Sequence, residues 1–155
     1  MSTTSPAGKA RVPALGAEGW FTEEDGAALL GSRCTACGTV AFPKLTYACN
    51  NPACSSRDLT EARLASTGTV WSYTDLRYQP PPPFVPTTEP YEPFALLAVE
   101  LDDGGLVVLG QGVAGLSVTD LHVGARVELV VDTLFEDEEQ THTIWKWALA
   151  EEVAR

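Results

Sequence analysis

Five stretches in the second half of the chain carry the hydrophobic pattern of strands. STGTVWSYTDLRYQ (66–79) is rich in β-branched and aromatic residues, as are FALLAVEL (94–101), GLVVLGQGV (105–113), ARVELVVDTLF (125–135) and THTIWKWALA (141–150). Alternation separates the two faces: Val127, Leu129 and Val131 share one side of the fourth stretch, and Trp145, Trp147 and Leu149 share one side of the fifth. Asp102, Asp103, Gly104 and Gly105 read as the turn between the second and third, and the acids at 136–139 as the turn between the fourth and fifth. AGLSVTDLHVG, between the third and fourth, has room for one helical turn. Five strands with the one irregular connection in that position predict an OB-fold, a small Greek-key barrel. A different small β-barrel or sandwich is the alternative.

The first 65 residues have another texture. Residues 1–16 are small, proline-containing and without an apolar run, and predict a mobile tail. AEGWFTEEDGAALLGSRC predicts a short helix or helix pair, with Thr22 as N-cap, Glu23, Glu24 and Asp25 in the first turn and Gly31 as the stop. Trp20 and Phe21 precede it, either as a staple to a core or as an aromatic patch for a partner. The expected organisation is a tail over 1–16, helix plus cysteine-bearing segment over 17–61, an OB-fold over 62–150 and a short tail over 151–155. The fold class is mainly β with an N-terminal helical segment.

Every cysteine lies in CTACGTVAFPKLTYACNNPAC: Cys34, Cys37, Cys49 and Cys54. Two close pairs joined by a short ribbon suit a tetrahedral zinc site of four thiolates. Gly38 can supply the positive φ that such a knuckle needs, and Asn50, Asn51 and Pro52 are turn formers in the longer second knuckle. Two disulfides are the rival arrangement, disfavoured because the N-terminus shows no secretion signal; iron in a rubredoxin-like site is the chemical alternative to zinc. Four thiolates leave no open coordination position, so the metal is expected to be structural, not catalytic.

Charge narrows the function. The net charge is −11, and residues 1–70 are neutral while residues 71–155 carry fifteen acids against Arg77, Arg126, Lys146 and Arg155. A polyanion-binding surface needs clustered cations, so nucleic acid is not the expected partner. No apolar run is long enough to cross a membrane, and a cytoplasmic location is expected. His122 and His142 belong to no recognisable catalytic set, and no nucleophile or phosphate-loop motif occurs. No catalytic residue is expected in this chain. The loop QPPPPFVPTTEPYEP (79–93) holds seven of the eleven prolines. It is either a solvated spacer or a stiff arm that presents Phe84 and Tyr91 to a partner or ligand.

The order of these pieces carries a resemblance. A lead ending in G-S-R-C, a C-x-x-C-G knuckle, Phe42–Pro43 and a second knuckle are followed by S-T-G-T-V-W-S-Y-T, P-Y-E-P-F-A-L-L-A-V-E-L and L-H-V-G-A-R-V-E-L. Over about residues 18–150 the chain resembles the acyl-CoA-associated family of small proteins with a rubredoxin-like zinc ribbon joined to an OB-fold. It departs from the family in C-N-N-P-A-C, where members have C-x-x-C.

The resemblance implies a non-catalytic accessory subunit in a hetero-oligomer. Its partner would be a thiolase-like or lipid-transfer-protein-like enzyme acting on acyl-CoA in lipid metabolism: a retro-aldolase of steroid side-chain CoA thioesters, or a degradative thiolase. It implies structural Zn2+, with acyl-CoA at a site shared with the partner; from the residues themselves, Lys44 and Arg77 are candidate contacts for the phosphates, with an ordinary surface charge as the alternative for each. The neutral charge of the N-terminal half makes Trp20, Phe21 and Phe42 the first candidates for the docking surface. A standalone acyl-CoA-binding protein is the alternative, and a single-stranded nucleic-acid module is the other use of these two folds.

Overall fold

The computed structural model describes residues 10–14, 16–82, 90–102 and 105–150. The five expected strands are all present: β6 (Thr67–Leu76), β7 (Phe94–Leu101), β8 (Val107–Gly112), β9 (Arg126–Glu136) and β10 (Gln140–Leu149). They close in the order β6-β7-β8-β10-β9, with β9 returning to β6 and β8–β10 the parallel pair. This is the five-stranded OB barrel. The link between β8 and β9 holds a single 3-10 turn (Val118–Asp120), started by a capping box in which Ser117 and Asp120 exchange side-chain and backbone bonds.

The barrel core is built from one face of each strand. Val70, Leu97, Val99, Val108, Val127, Leu129 and Trp147 point inward and are buried. Val127 and Leu129 lie on the inner face as their alternation predicts, and Val131 packs half-buried against the same cluster. At β6 the register slips between Val70 and Ser72, a bulge that turns Trp71 outward.

The first 65 residues are also strands. β1 (Ala10–Pro13), β2 (Phe21–Thr22), β3 (Ala28–Cys34), β4 (Val40–Ala41) and β5 (Leu59–Arg63) precede the barrel. β1 lies inside the segment expected as a tail. It runs parallel to β10 from Ala10↔Gln140 to Pro13↔Thr143, along the half of β10 that β8 does not reach. An unpaired strand edge exposes donors and acceptors, and β1 satisfies them.

The expected N-terminal helix is not formed. Phe21 pairs with Leu29 and Thr22 with Ala28, so the chain reverses across residues 23–27. Thr22 Oγ1 does accept the Glu24 N–H, as an N-cap would, but Asp25 and Gly26 then take positive φ of 58° and 97° and turn the chain back. The Arg63 guanidinium locks this reversal by donating to the carbonyls of Glu24, Asp25 and Gly26 at 3.0, 2.9 and 2.8 Å. Gly31 is not a helix stop. It sits buried in mid-strand, where a Cβ would meet the Ala41 carbonyl oxygen at 2.4 Å, so its missing side chain lets β4 close on β3. The short apolar run AALL fits either element by periodicity alone.

Candidate metal centre

β3 brings Cys34 to its end, and the chain reverses through the first knuckle into β4. The Gly38 N–H donates to the Cys34 carbonyl at 2.8 Å, the Cys34 N–H donates to the Thr39 carbonyl at 2.9 Å, and Gly38 has φ 81°. The second knuckle closes in the same way. The Cys49 N–H donates to the Ser56 carbonyl at 2.7 Å, and Ser55, next after Cys54, has φ 68°. Cys54-Ser55-Ser56 therefore matches Cys37-Gly38-Thr39. The extra residues are taken up between Cys49 and Cys54, where the Asn51 carbonyl accepts the Cys54 N–H at 2.9 Å and Asn51 Oδ1 accepts the Ala53 N–H at 3.0 Å. The unequal spacing lengthens one knuckle and leaves the presentation of its sulfurs intact.

All four sulfurs lie within 4.8 Å of one another, with Cys34–Cys54 at 3.7 Å and Cys37–Cys49 at 3.5 Å. Zinc–sulfur bonds of about 2.3 Å in a tetrahedron put the sulfurs about 3.8 Å apart, so the set fits the metal. A disulfide would need about 2.05 Å, and its partners would not be shared among four atoms. Donors already surround the sulfurs. Thr39 and Asn51 hold the Cys37 thiol down to about 6, chiefly through the Thr39 hydroxyl and amide. The Ser56 amide favours the Cys54 thiolate, but burial and the neighbouring sulfurs outweigh it and push that thiol up to about 11. Four thiolates at this spacing repel one another, and a divalent cation is what makes all four stable at once. Among the described residues no other cluster of metal-binding side chains converges.

The aromatic candidates face inward. Trp20 stacks on Trp145 of β10 at 6.0 Å, while Phe21 and Phe42 meet the same indole edge-on at 6.0 and 5.7 Å. Phe21 is buried, and Trp20 and Phe42 are half-buried. The three make a seam between ribbon and barrel, the staple reading of Trp20 and Phe21, and Phe21 offers no free surface to a partner. Trp145 is fixed in turn by its Nε1–H, which donates to the Leu109 carbonyl at 2.9 Å.

The two candidate cations are not brought together. Lys44 lies on the ribbon, paired with Glu61. Arg77 lies at the barrel end, 3.1 Å from Asp75, on a cleft of about 450 Å³ that Lys146, Gln111 and Glu92 also line. Tyr91 is half-buried, with its hydroxyl donating to the Leu76 carbonyl at 2.5 Å and its ring against Phe94. Phe84 lies outside the described residues. His142 is held by Asp137 at 2.8 Å and stacks on Phe135, and His122 is exposed. Sequence reading missed Trp145 as the hub of the seam and Arg63 as the clamp of the 23–27 turn. Both act on residues distant in sequence, and no local pattern announces them.

Fold and metal centre together define a zinc ribbon followed by an OB-fold barrel. Comparison with known proteins agrees in both parts. The family model of the ChsH2 rubredoxin-like zinc ribbon domain matches residues 28–60, and that of the ChsH2 C-terminal OB-fold domain matches residues 61–132. A DUF35 domain-containing scaffold protein of Pyrococcus furiosus is 32% identical over 111 residues, 72% of this chain and 74% of the relative. One of Methanocaldococcus jannaschii is 29% identical over 110 residues, 70% and 71%. A chain solved in the Ltp2-ChsH2(DUF35) aldolase superposes with a TM-score of 0.64 at 27% identity, covering 90% of this chain and 99% of that one. The chain belongs to the ChsH2 zinc-ribbon and OB-fold family, whose curated relatives are described as DUF35 scaffold proteins. No described helix is long and apolar enough to cross a membrane.

Proposed function

We propose that this chain is the non-catalytic scaffold subunit of a thiolase-superfamily enzyme acting on acyl-CoA. The partner is a lipid-transfer-protein-type retro-aldolase of steroid side-chain CoA thioesters, or a degradative thiolase. The observation that carries the reading is the likeness, over nearly the whole of both chains, to a chain of the Ltp2-ChsH2(DUF35) aldolase. The chemistry of the site supports it. The metal set is closed, the histidines are unassociated with it, and a chain so equipped contributes shape to a complex while the reacting groups lie in the partner.

Acyl-CoA would then sit in a channel shared with the partner. Lys44 and Arg77 are each already matched by a carboxylate, so these two candidate contacts offer little unspent positive charge to a phosphate-rich ligand. That weighs against a freestanding acyl-CoA carrier and against a nucleic-acid module alike. Co-expression with the thiolase-superfamily protein encoded by an adjacent gene is expected to yield one co-eluting complex with thioester-cleaving activity. Two independently eluting proteins would overturn the reading. Calorimetry of the isolated chain with acyl-CoAs is expected to show no binding, and micromolar binding would favour the standalone carrier.

A further inference from the structure

The outer face of the sheet formed by β6, β7 and β8 carries an apolar strip, Trp71, Leu96, Ala98, Leu109 and Val107, that no other described element covers. Register places Ser72, Ala98 and Leu109 in one row across it, Thr74, Leu96 and Gln111 in the next, and Thr69, Glu100 and Val107 in a third. The bulge adds Trp71 to the same side. Trp71 is 60% exposed, Leu109 61% and Val107 44%. Beside Leu109 runs a shallow groove of about 110 Å³ lined by Ser72, Tyr73, Thr74, Leu96, Ala98 and Leu109. Glu100 is the one charged side chain in these rows. On β9, by contrast, the outward positions Arg126, Glu128 and Asp132 are charged. Single exposed apolar side chains are ordinary, but a contiguous set around a groove marks a contact surface.

We propose that this face is the docking surface for a different protein whose contact patch is apolar at its centre and basic at its rim, namely the catalytic subunit; the assignment rests on the scaffold reading above. Charge selects that occupant. A second copy of this chain would bring another net charge of −11 to the interface, and like charges oppose association. The described cations of the barrel half are spent internally: Arg77 on Asp75 at 3.1 Å, Arg126 on Asp102 at 2.7 Å and Lys146 on Asp132 at 3.6 Å. Glu100 in the third row and Glu128 on the neighbouring strand β9 enter none of these pairs and are left for a partner's Lys and Arg to answer. The groove would take an aliphatic side chain of that partner, and the Trp71 indole is the kind of anchor that dominates such interfaces.

The test compares wild type, Trp71→Ser, Leu109→Lys and Tyr47→Ser in complex with the adjacent-gene catalytic protein. Tyr47 is a 70% exposed residue of the ribbon and serves as control. Zinc content and circular dichroism of each variant are expected to match wild type, because the substituted side chains are solvent-facing. Trp71→Ser and Leu109→Lys are each expected to raise Kd by more than about thirtyfold, as hot-spot losses do, and Tyr47→Ser to leave it unchanged. Raising the salt concentration is expected to weaken the wild-type complex. Unchanged affinity in both face variants would overturn this face while leaving the scaffold reading intact. Salt-independent affinity would overturn the basic rim. A wild-type homodimer that Leu109→Lys disperses would overturn the choice of occupant. Failure of wild type to bind at all would overturn the scaffold reading and this inference with it.

Discussion

The ribbon and the barrel are both small β structures, yet different physics holds them. In the barrel, seven inward side chains drawn from all five strands, with Trp147 among them, form a continuous apolar core. In the ribbon, only Ala41 and Cys49 are buried between residues 35 and 58. A segment that buries so little cannot offset the conformational entropy of ordering its backbone. Four thiolates closing on one cation would supply the missing free energy. The two regions meet where Trp20, Phe21 and Phe42 close around Trp145, and where Leu29, Ala62 and Leu64 join the barrel's hydrophobic cluster. The difference separates metal-dependent shape from metal-independent stability within a single chain, and each part can be broken by itself.

The largest expected effect is loss of a metal ligand. A structural zinc site is worth about 10–16 kcal/mol, so Cys34→Ser should unfold the ribbon outright. The barrel strands should keep their amide protection; hydrogen exchange together with zinc analysis reads both halves at once. Cooperative unfolding of the barrel as well would show that the ribbon is part of its core and erase the distinction.

Trp145→Ala comes next. It removes the hub of the seam, and loss of a buried tryptophan costs about 3–5 kcal/mol. Chemical denaturation should then show two transitions where wild type shows one, with zinc still bound. Gly31→Ala acts chiefly inside the ribbon, with the Leu64 side chain 3.3 Å from the new Cβ as its only near neighbour toward the barrel core. A Cβ 2.4 Å from the Ala41 oxygen must push β3 from β4, at a cost of about 1–3 kcal/mol. Weakened zinc retention in a chelator competition, with the barrel's melting unchanged, is the expected reading.

The smallest effect is one of pH. Arg126, donating to both carboxylate oxygens, and the Thr67 hydroxyl hold Asp102 down to about 2. Its folded value lies below the ordinary value of about 4. The stabilisation is therefore complete above about pH 4 and disappears as pH falls through about 2. Both partners are more than a third exposed, so solvent screening limits the pair to less than about 1 kcal/mol. Asp102→Asn should lower the barrel's urea midpoint slightly at pH 5 and not at all at pH 2. The ribbon should already have released its metal on the way down, because protonation of thiolates competes with zinc.

Much of this molecule was readable in one dimension. The barrel strands came from alternation that a half-buried sheet imposes residue by residue, as at Val127 and Leu129, and their order followed from the one connection with room for a helical turn. The four cysteines declared their metal because ligand chemistry and spacing are local properties. The helix expected after Thr22 shows where locality ends. Its cap, its acids and its apolar run were real signals, and the chain uses the cap. What reversed the outcome was Arg63, nearly forty residues away, taking three carbonyls in the turn, and Ala41, whose carbonyl needs the space that Gly31 leaves. The aromatic residues before that turn were equally ambiguous. Trp20 and Phe21 have the composition of an interface or of a core, and only the position of Trp145 made them a seam.

By itself, then, the sequence determined the barrel, the metal set and the acidic balance of the second half, fifteen acids against four cations over residues 71–155. Each depends on residue type and near-neighbour spacing. Only the tertiary structure decided that the N-terminal segment is a hairpin, that β1 completes the edge of β10, and that Trp71, Leu109 and Val107 stand exposed on one face of β6, β7 and β8. Those outcomes depend on which distant groups arrive at the same place, and hydrogen bonds and packing between them outweigh the preferences of any short stretch of chain.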